Sequence, residues 1–423
     1  MVTCMRTIEG YDIKIFTDNV EDKAIEQLCT LFSIDVFSGS KIRIMPDVHA
    51  GAGCVIGFTG NLGDKVIPNI VGVDIGCGMR VVPFVAGQEI DYHGFNEFIL
   101  ANVPSGRNVR DGQYCHPDAR YMGIYSSAKE LVKSLKCYRY LKDSKRLYKS
   151  IGTLGGGNHF IEIDRDESGM YYLVIHTGSR DLGRLVAQIY QKLALKNQSG
   201  WDELMEVQQK MIEEYKADGR RSELQEAIRQ LHCSFKLHRP SVPEDLCWLT
   251  GKSREDYLHD MRICQQWAVL NRQLIADILM DYLKEAGCTP EHDGVFESVH
   301  NYISDSNMIR KGAISAEAGE LCIIPLNMRD GSLICKGKGN VDWNCSAPHG
   351  AGRIMSRAEA FRQLSMDDFR ASMDGIYSET VNEQTIDEAP MVYKPKDEIM
   401  TNIADTVDVV NIIKPQFNFK ASM

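Results

Sequence analysis

The 423-residue sequence lacks the features of a membrane or secreted protein. It contains no run of about eighteen apolar residues, which a membrane-spanning helix requires. Its first residues show no basic region followed by an apolar stretch, so no signal peptide is expected. Its 13 cysteines include no Cys-x-x-Cys pair, which argues against a structural zinc site and favours free thiols in a reducing compartment. We therefore expect a cytoplasmic protein without a membrane partner.

The sequence also lacks an excess of positive charge. It has 48 lysines and arginines against 58 acidic residues, a net charge of −10. This balance argues against a surface that attracts nucleic acid everywhere, but it allows a local basic groove. The triple glycine at 155–157 is followed by neither Lys-Ser/Thr nor the dinucleotide-binding pattern, so kinase-like and Rossmann-like nucleotide binding are disfavoured.

The order of predicted elements indicates one α+β domain over residues 1–423, since no repeat or linker divides the chain. A helical segment at about 195–290 lies between strand-rich parts, with helices expected at 201–216, 222–232 and 254–285. A capping box of Ser253 and Asp256 should start the long helix and Gly287 should stop it. Other helices are expected at 20–32 and 357–364, and a closing strand from Val407. Short strands are predicted at 12–16, 41–45, 54–58, 79–84, 150–154, 158–163 and 171–175.

Side chains that bind metals recur in glycine-rich junctions, often directly after an apolar run. Asp74 and Cys77 are expected to end a buried strand. A single histidine after a strand is more often a structural residue. Several of them beside an Asp-x-x-Cys pair are better explained by one shared site. The candidates are Asp74, Cys77, His159, His176, His300 and His349.

This donor set restricts the metal. A carboxylate and several imidazoles suit Mn²⁺, Fe²⁺ or Zn²⁺, and one thiolate adds softness without forming a sulfur cage. The donors are too many for one tetrahedral ion, so we expect a two-metal centre with Cys77 as a candidate bridge. Such a centre is typical of phosphoryl chemistry. The sequence does not divide the ligands between the two ions.

The strand predicted at 158–163 places alternate side chains on one face. Asn158, Phe160 and Glu162 would share a face and could respectively meet a phosphate, stack on a base and accept from a purine edge. A half-buried edge strand explains the same pattern equally well.

Six motifs in this order resemble the RtcB family of RNA ligases, from Pro46 to the C-terminus. They include Asp-x-x-Cys at 74–77, Gly-Asn-His-Phe at 157–160, His-Thr-Gly-Ser-Arg at 176–180 and His-Gly-Ala-Gly-Arg at 349–353. The resemblance implies an α+β fold of the family's own type, with buried sheets around the metal centre. It also implies ligation of RNA bearing a 2′,3′-cyclic phosphate or 3′-phosphate to RNA bearing a 5′-hydroxyl, in RNA repair or tRNA splicing. The implied cofactors are GTP and Mn²⁺, two ions being expected, and an accessory activator protein is a further possible partner.

The resemblance also implies a role for individual residues. His349 corresponds to the histidine that attacks GTP and carries GMP, and Asp47 to an acidic position associated with catalysis. Asn158, Asn301 and Arg353 correspond to phosphate contacts. The implied metal ligands are Asp74, Cys77, His159, His176 and His300. The implied guanine contacts are Phe160, Glu162, Tyr393 and Lys420, and Ser332 matches a serine near the nucleotide.

Several departures from the family pattern indicate a divergent, bacterial-type branch, and they favour a repair ligase over a tRNA-splicing one. Where the family commonly has Pro-Gly-Ser-Met-Gly, this chain reads Pro-Leu-Asn-Met-Arg-Asp-Gly-Ser at 325–332, so that Asn327 replaces a serine. Arg184 stands where histidine is common, and alanine follows Lys420. The nucleotide contacts and the choice of RNA are therefore less firmly implied than the metal centre.

Three other functions are compatible with parts of this pattern. A metal-dependent RNA phosphodiesterase or phosphatase would use the same cluster without a GMP adduct, but it would not need His349. A 3′-phosphate guanylyltransferase would stop before ligation. A non-catalytic protein that binds RNA ends or metal would not require so complete a donor set.

Overall fold

The structure, a computed structural model, describes residues 11–114, 116–141 and 144–421. It combines helices with mixed and antiparallel sheets, which confirms the predicted α+β class. Within the described residues no helix is both long and apolar enough to cross a membrane. The helices are α1 (Asp22–Phe32), α2 (Pro68–Val71), α3 (Tyr92–Asn102), α4 (Ala119–Ser134), α5 (Ser144–Lys149), α6 (Arg180–Asn197), α7 (Trp201–Ala217), α8 (Leu224–Ser234), α9 (Gly251–Glu285), α10 (Arg357–Gln363), α11 (Met366–Ser372) and α12 (Lys396–Ile403).

The strands are short, except for the last one. They are β1 (Asp12–Ile15), β2 (Lys41–His49), β3 (Ile56–Asn61), β4 (Gly78–Ala86), β5 (Phe160–Arg165), β6 (Tyr171–Thr177), β7 (Cys288–Pro290), β8 (Phe296–Val299), β9 (Asn301–Ile303), β10 (Met308–Lys311), β11 (Ala313–Ser315), β12 (Leu321–Asn327), β13 (Gly331–Gly337), β14 (Ser346–Pro348) and β15 (Val407–Lys420).

Two large sheets and one two-stranded ribbon carry the candidate site. The larger sheet has the order β12-β13-β15-β5-β6-β4-β7, and β8 also pairs with β4. The second sheet has the order β1-β2-β3-β10-β9, and β11 pairs with β14. Strand β15 is long enough to pair with β13 through its first half and with β5 through its second. The C-terminal residues therefore lie against the strand that contains Phe160 and Glu162.

The 35-residue helix α9 packs against β4, β6 and β7 and provides much of the main core. Tyr257, Met261, Cys264 and Trp267 follow a helical spacing and are fully buried. Burying such a stripe supplies most of the free energy that holds a helix against a sheet. By contrast, α8 has no fully buried residue, so it lies at the surface.

Most predicted elements were confirmed to within a few residues, but three predictions were wrong. The segment 150–154 is not a strand: it is a buried turn in which Gly152 has a φ of 71°. Helix α9 begins at Gly251, so Ser253 and Asp256 do not cap it, although Gly287 follows its end as predicted, with a φ of 82°. The third error concerns Asp74 and Cys77, which lie in a loop between α2 and β4 and not at the end of a strand. The apolar run before them forms the short helix α2, which begins at a proline.

Candidate metal centre and nucleotide cavity

The donor atoms predicted to bind metal form one continuous array. The Cys77 Sγ atom lies 3.4 Å from His159 Nε2 and 3.3 Å from His176 Nε2. At one end, Asp74 Oδ2 is 2.9 Å from His159 Nε2. At the other end, His176 Nε2 is 3.4 Å from His300 Nε2. The thiol thus lies in the middle of the array.

This array fits a transition-metal site in its chemistry and spacing. Donor atoms that share one ion lie roughly 3–4 Å apart, since each is about 2.0–2.3 Å from the metal. Cys77, His159 and His176 form a group whose donor atoms all lie within 4.8 Å of one another, and all three are buried. An uncompensated thiol, imidazoles and carboxylate packed this closely would be costly to bury. A bound cation removes that cost.

The protonation states also suit metal binding. Burial lowers the pKa of His176 and of His300 well below the usual value, so both imidazoles are neutral, the form that coordinates a cation. Burial opposes the ionisation of Asp74, but the hydrogen bonds to His159 and Cys77 and the charges of His159 and Arg180 together outweigh burial, and the pKa falls to about 2. Burial raises the pKa of the Cys77 thiol, so a thiolate at this position needs a cation beside it.

Two polar residues of α9 hold the loops that carry the ligands. The Asn271 carboxamide accepts from the backbone N–H of Gly152 and donates to the carbonyl of Gly178, at 2.7 and 3.1 Å. The Arg272 guanidinium donates to the carbonyl of Gly76, beside Cys77, at 2.8 Å and to that of Thr177, beside His176, at 2.9 Å. Both side chains are fully buried. Sequence analysis missed them, because a polar pair in a long helix looks like part of a solvated face.

His349 lies next to the array, directly after β14. Its ring centroid is 4.8 Å from that of His300. Its Nδ1 atom is 2.6 Å from Asp47 Oδ2, and its backbone N–H donates to the same oxygen at 3.1 Å. Gly352 permits this approach of the His349 loop to β2, since a Cβ there would lie 2.7 Å from the Asp47 Cα. The chain thereby fixes both the loop and the ring.

A cavity of about 790 Å³ opens beside His349 and His176. Phe160 and Glu162 lie on its wall, as the predicted strand alternation requires, although β5 begins only at Phe160. Burial raises the pKa of Glu162 to about 7, against the opposing effects of Asn418 and Lys420. The Lys420 ammonium is 5.5 Å from the centroid of the Phe160 ring. The other predicted residues on the wall are Asn158, Arg353 and Tyr393.

A carboxylate that sequence analysis missed joins several of these groups. Glu388 is buried and contacts Lys420, Tyr393 and Arg353 at 2.8, 2.6 and 3.3 Å. Burial opposes its ionisation, but Lys420 and two arginines outweigh burial and lower its pKa. The only signal in the sequence was an acidic pair, Asp387-Glu388, shortly before Pro390. Such pairs are usually solvated.

Two of the predicted nucleotide contacts do not line the cavity. Ser332 is fully buried in β13. Asn301 instead links loops of the metal site: its carboxamide oxygen accepts from the Gly312 N–H at 2.9 Å and its nitrogen donates to the Asp74 carbonyl at 3.4 Å. Asn327, the residue that departs from the family pattern, lines the cavity. Its side-chain oxygen accepts from the backbone N–H groups of Arg329 and Asp330. Its side chain therefore stabilises the β12–β13 turn.

The chain is similar to known proteins over most of its length. The family described as "tRNA-splicing ligase RtcB" matches residues 27–421. The chain is 31% identical to "RNA-splicing ligase RtcB" of Escherichia coli K12, over 96% of this chain and 97% of that protein. It is 26% identical to "tRNA-splicing ligase RtcB" of Archaeoglobus fulgidus, over 93% of this chain and 88% of that protein.

Proposed function

The chain belongs to the RtcB family, and from this premise we propose that it is an RNA ligase. It joins RNA that ends in a 3′-phosphate or 2′,3′-cyclic phosphate to RNA that begins with a 5′-hydroxyl, with GTP consumed as a substrate and Mn²⁺ as the metal. One observation carries the proposal: the Asp47–His349 pair, 2.6 Å between Oδ2 and Nδ1, lies directly beside the metal-binding array. The pair holds a histidine that can act as a nucleophile toward phosphorus, and the covalent label tested below distinguishes this role from that of a general base in a hydrolase.

In this proposal two Mn²⁺ ions would be held by the five residues of the array: Asp74, Cys77, His159, His176 and His300. Cys77, within 3.4 Å of two histidines, lies at the centre of the donor set that would hold the ions. When bound, the ions supply positive charge that offsets the phosphate oxygens of the reacting groups.

His349 is the nucleophile toward the α-phosphorus of GTP. Asp47 holds the proton on Nδ1, so that the lone pair is on Nε2, the ring atom that is free to react. An Nε2–P bond forms as the bond to pyrophosphate breaks, and pyrophosphate leaves. The product is a GMP–histidine.

The RNA 3′-phosphate then displaces His349 from the GMP phosphorus, which gives an RNA end activated by GMP. In the last step the 5′-hydroxyl oxygen attacks the terminal RNA phosphorus and loses its proton. GMP leaves with the electron pair of the broken P–O bond. Atoms balance for a 3′-phosphate end: GTP and two RNA ends give joined RNA, GMP and pyrophosphate. A 2′,3′-cyclic phosphate end first takes up one water, whose oxygen forms a bond to phosphorus as the bond from phosphorus to the 2′-oxygen breaks, and then follows the same steps.

The cavity provides a site for the guanine and the phosphates. The Phe160 ring offers a stacking surface, while Glu162 and Lys420 offer an acceptor and a donor for the base edge. With a pKa of about 7, Glu162 is readily ionised once a donor reaches it. Arg353 and Asn158 lie where they can meet phosphate oxygens. Asn301 acts through the loops it links.

The test is incubation with GTP labelled at the α-phosphate, with Mn²⁺, followed by denaturing electrophoresis. We expect an acid-labile covalent label on the protein that is absent from His349→Ala. The exposed His93, which lies outside the cavity, provides the matched control: His93→Ala should keep the label. Absence of label on the wild-type chain, or label that survives His349→Ala, would refute the mechanism.

A further inference from the structure

Glu388 makes four polar contacts with its two carboxylate oxygens. Oε2 accepts from the Tyr393 hydroxyl at 2.6 Å and from the Lys420 ammonium at 2.8 Å. Oε1 faces Arg353 Nη1 at 3.3 Å and Arg357 Nη2 at 3.4 Å. The residue is only 1% exposed. A carboxylate with both oxygens occupied in this way has a fixed orientation.

The two oxygens face different parts of the cavity. Lys420 lies beside Phe160, where the base is expected, whereas Arg353 belongs to the loop that starts at His349. Tyr393 adjoins Arg353, whose guanidinium is 5.6 Å from the centroid of the Tyr393 ring. The Arg353 guanidinium also donates to the Asp387 carbonyl at 2.6 Å. One buried carboxylate thus joins the base side of the cavity to the nucleophile loop.

The buried negative charge of Glu388 is unusual in a cavity that must bind a negatively charged nucleotide. A carboxylate lining such a cavity repels phosphates, and burying it is costly unless cations surround it. Here three cations, Arg353, Arg357 and Lys420, compensate it. Glu388 therefore has a role that outweighs its repulsion of the nucleotide, and its contacts point to orientation of these cations.

We propose that Glu388 is a positioning residue for the nucleotide: it holds Lys420 against the base and Arg353 against the phosphates, without touching the reacting atoms. This inference rests on the proposed function, because it takes the cavity to be the GTP site. It deepens that function by naming the group that couples recognition of the base to placement of the nucleophile loop.

For Glu388→Gln, the proposal and simple electrostatics predict opposite changes in the affinity for the nucleotide. If Glu388 acted only through its charge, Glu388→Gln would make the cavity more positive and strengthen nucleotide binding. If it orients the cations, the same change places an amide against them and weakens binding. We expect the dissociation constant to rise roughly ten- to a hundredfold, as for loss of a buried charged hydrogen-bond partner.

The measurement is calorimetric binding of guanosine 5′-(α,β-methylene)triphosphate with Mn²⁺, an analogue that cannot release pyrophosphate. Glu388→Asp covers the case in which Glu388→Gln fails to fold. It keeps the buried charge, but it is too short to reach all four partners, so it should also bind the analogue more weakly. Glu383→Gln is the matched control: it makes the same change at an exposed carboxylate that lies outside the cavity. Its dissociation constant should stay within about threefold of wild type.

A double-variant cycle with Lys420→Met separates positioning from general loss of structure. If Glu388 acts through Lys420, adding Glu388→Gln to Lys420→Met should weaken binding much less than it does in the wild type. Independent, multiplying effects would overturn the proposal, as would unchanged or tighter binding by both Glu388 variants. If the wild-type protein itself does not bind the analogue, the proposed function fails, and this outcome is distinct from either result.

Discussion

Asp47 and His349 are bound to each other twice: one carboxylate oxygen accepts from the His349 ring at 2.6 Å and from its backbone N–H at 3.1 Å. Asp47 is fully buried on β2, so it cannot turn away to solvent. The two bonds fix both the loop and the rotation of the ring. They also select the tautomer of the neutral ring, because a carboxylate can only accept, and in that tautomer the lone pair is on Nε2.

Replacing Asp47 with asparagine should therefore disable His349 without removing it. An amide can place its N–H₂ group against Nδ1 and so favour the wrong tautomer. We expect the rate of GMP transfer to the enzyme to fall by roughly 10²–10⁴, as when the carboxylate of a catalytic histidine is neutralised. Single-turnover labelling with GTP measures this rate. Asp64→Asn, at an exposed carboxylate, should label at the wild-type rate; equal rates for both variants would contradict this role of Asp47.

Cys77→Ala should lose metal and activity together, because the thiol lies in the middle of the donor array. Metal content after dialysis, measured by mass spectrometry, and ligation should both fall by at least roughly tenfold. Cys29→Ala changes an exposed thiol outside the array and should change neither. Full metal content in Cys77→Ala would remove this residue from the centre.

Asn271→Leu should destabilise the protein although the substitution keeps a similar volume. It leaves the buried N–H of Gly152 and the carbonyl of Gly178 without their present partner. We expect a loss of about 2–4 kcal/mol in the free energy of unfolding, measured with urea. Gln266→Leu, on the exposed face of the same helix, should cost less than about 0.5 kcal/mol. Equal stabilities would show that the loops do not depend on Asn271.

Stability should fall as pH rises through the range in which Glu162 titrates. Its pKa is raised by burial from 4.5 to about 7 in the folded protein, so between these values the native state keeps a proton that the unfolded state releases. The free energy of unfolding therefore decreases with pH by up to about 1.4 kcal/mol per pH unit for this group. Unfolding with urea at about pH 5 and about pH 7 should show a smaller decrease in Glu162→Gln. An identical pH dependence in the two proteins would contradict the raised pKa.

The residues predicted to bind metal could be found from the sequence, but the residues that hold them in position could not. Asp74, Cys77 and the histidines could be found because their types and glycine-rich settings are rare together, and they do meet in space. Asn271, Arg272 and Glu388 could not be found, because each acts on groups distant in sequence. From the sequence alone, a polar residue of α9 that is buried cannot be distinguished from one that is exposed to solvent.

Two of the wrongly predicted elements have separate physical causes. The apolar composition of the run before Asp74 predicts a strand. Pro68, however, favours the first turn of a helix, and α2 forms there. The segment 150–154 has an apolar, strand-like composition, but Asn271 and the left-handed Gly152 hold it as a turn. The first segment thus follows a local helix signal, whereas in the second tertiary contacts outweigh the local pattern.

The most direct test of the account is transfer of a labelled RNA 3′-phosphate. RNA labelled at that phosphate is incubated with a 5′-hydroxyl RNA, GTP, Mn²⁺ and the wild-type protein. We predict that the label becomes internal to a longer RNA and resists phosphatase, and that His349→Ala forms no such product. Release of the label as inorganic phosphate, or its retention in a GMP-capped RNA that is never joined, would contradict the assignment of this chain as a ligase.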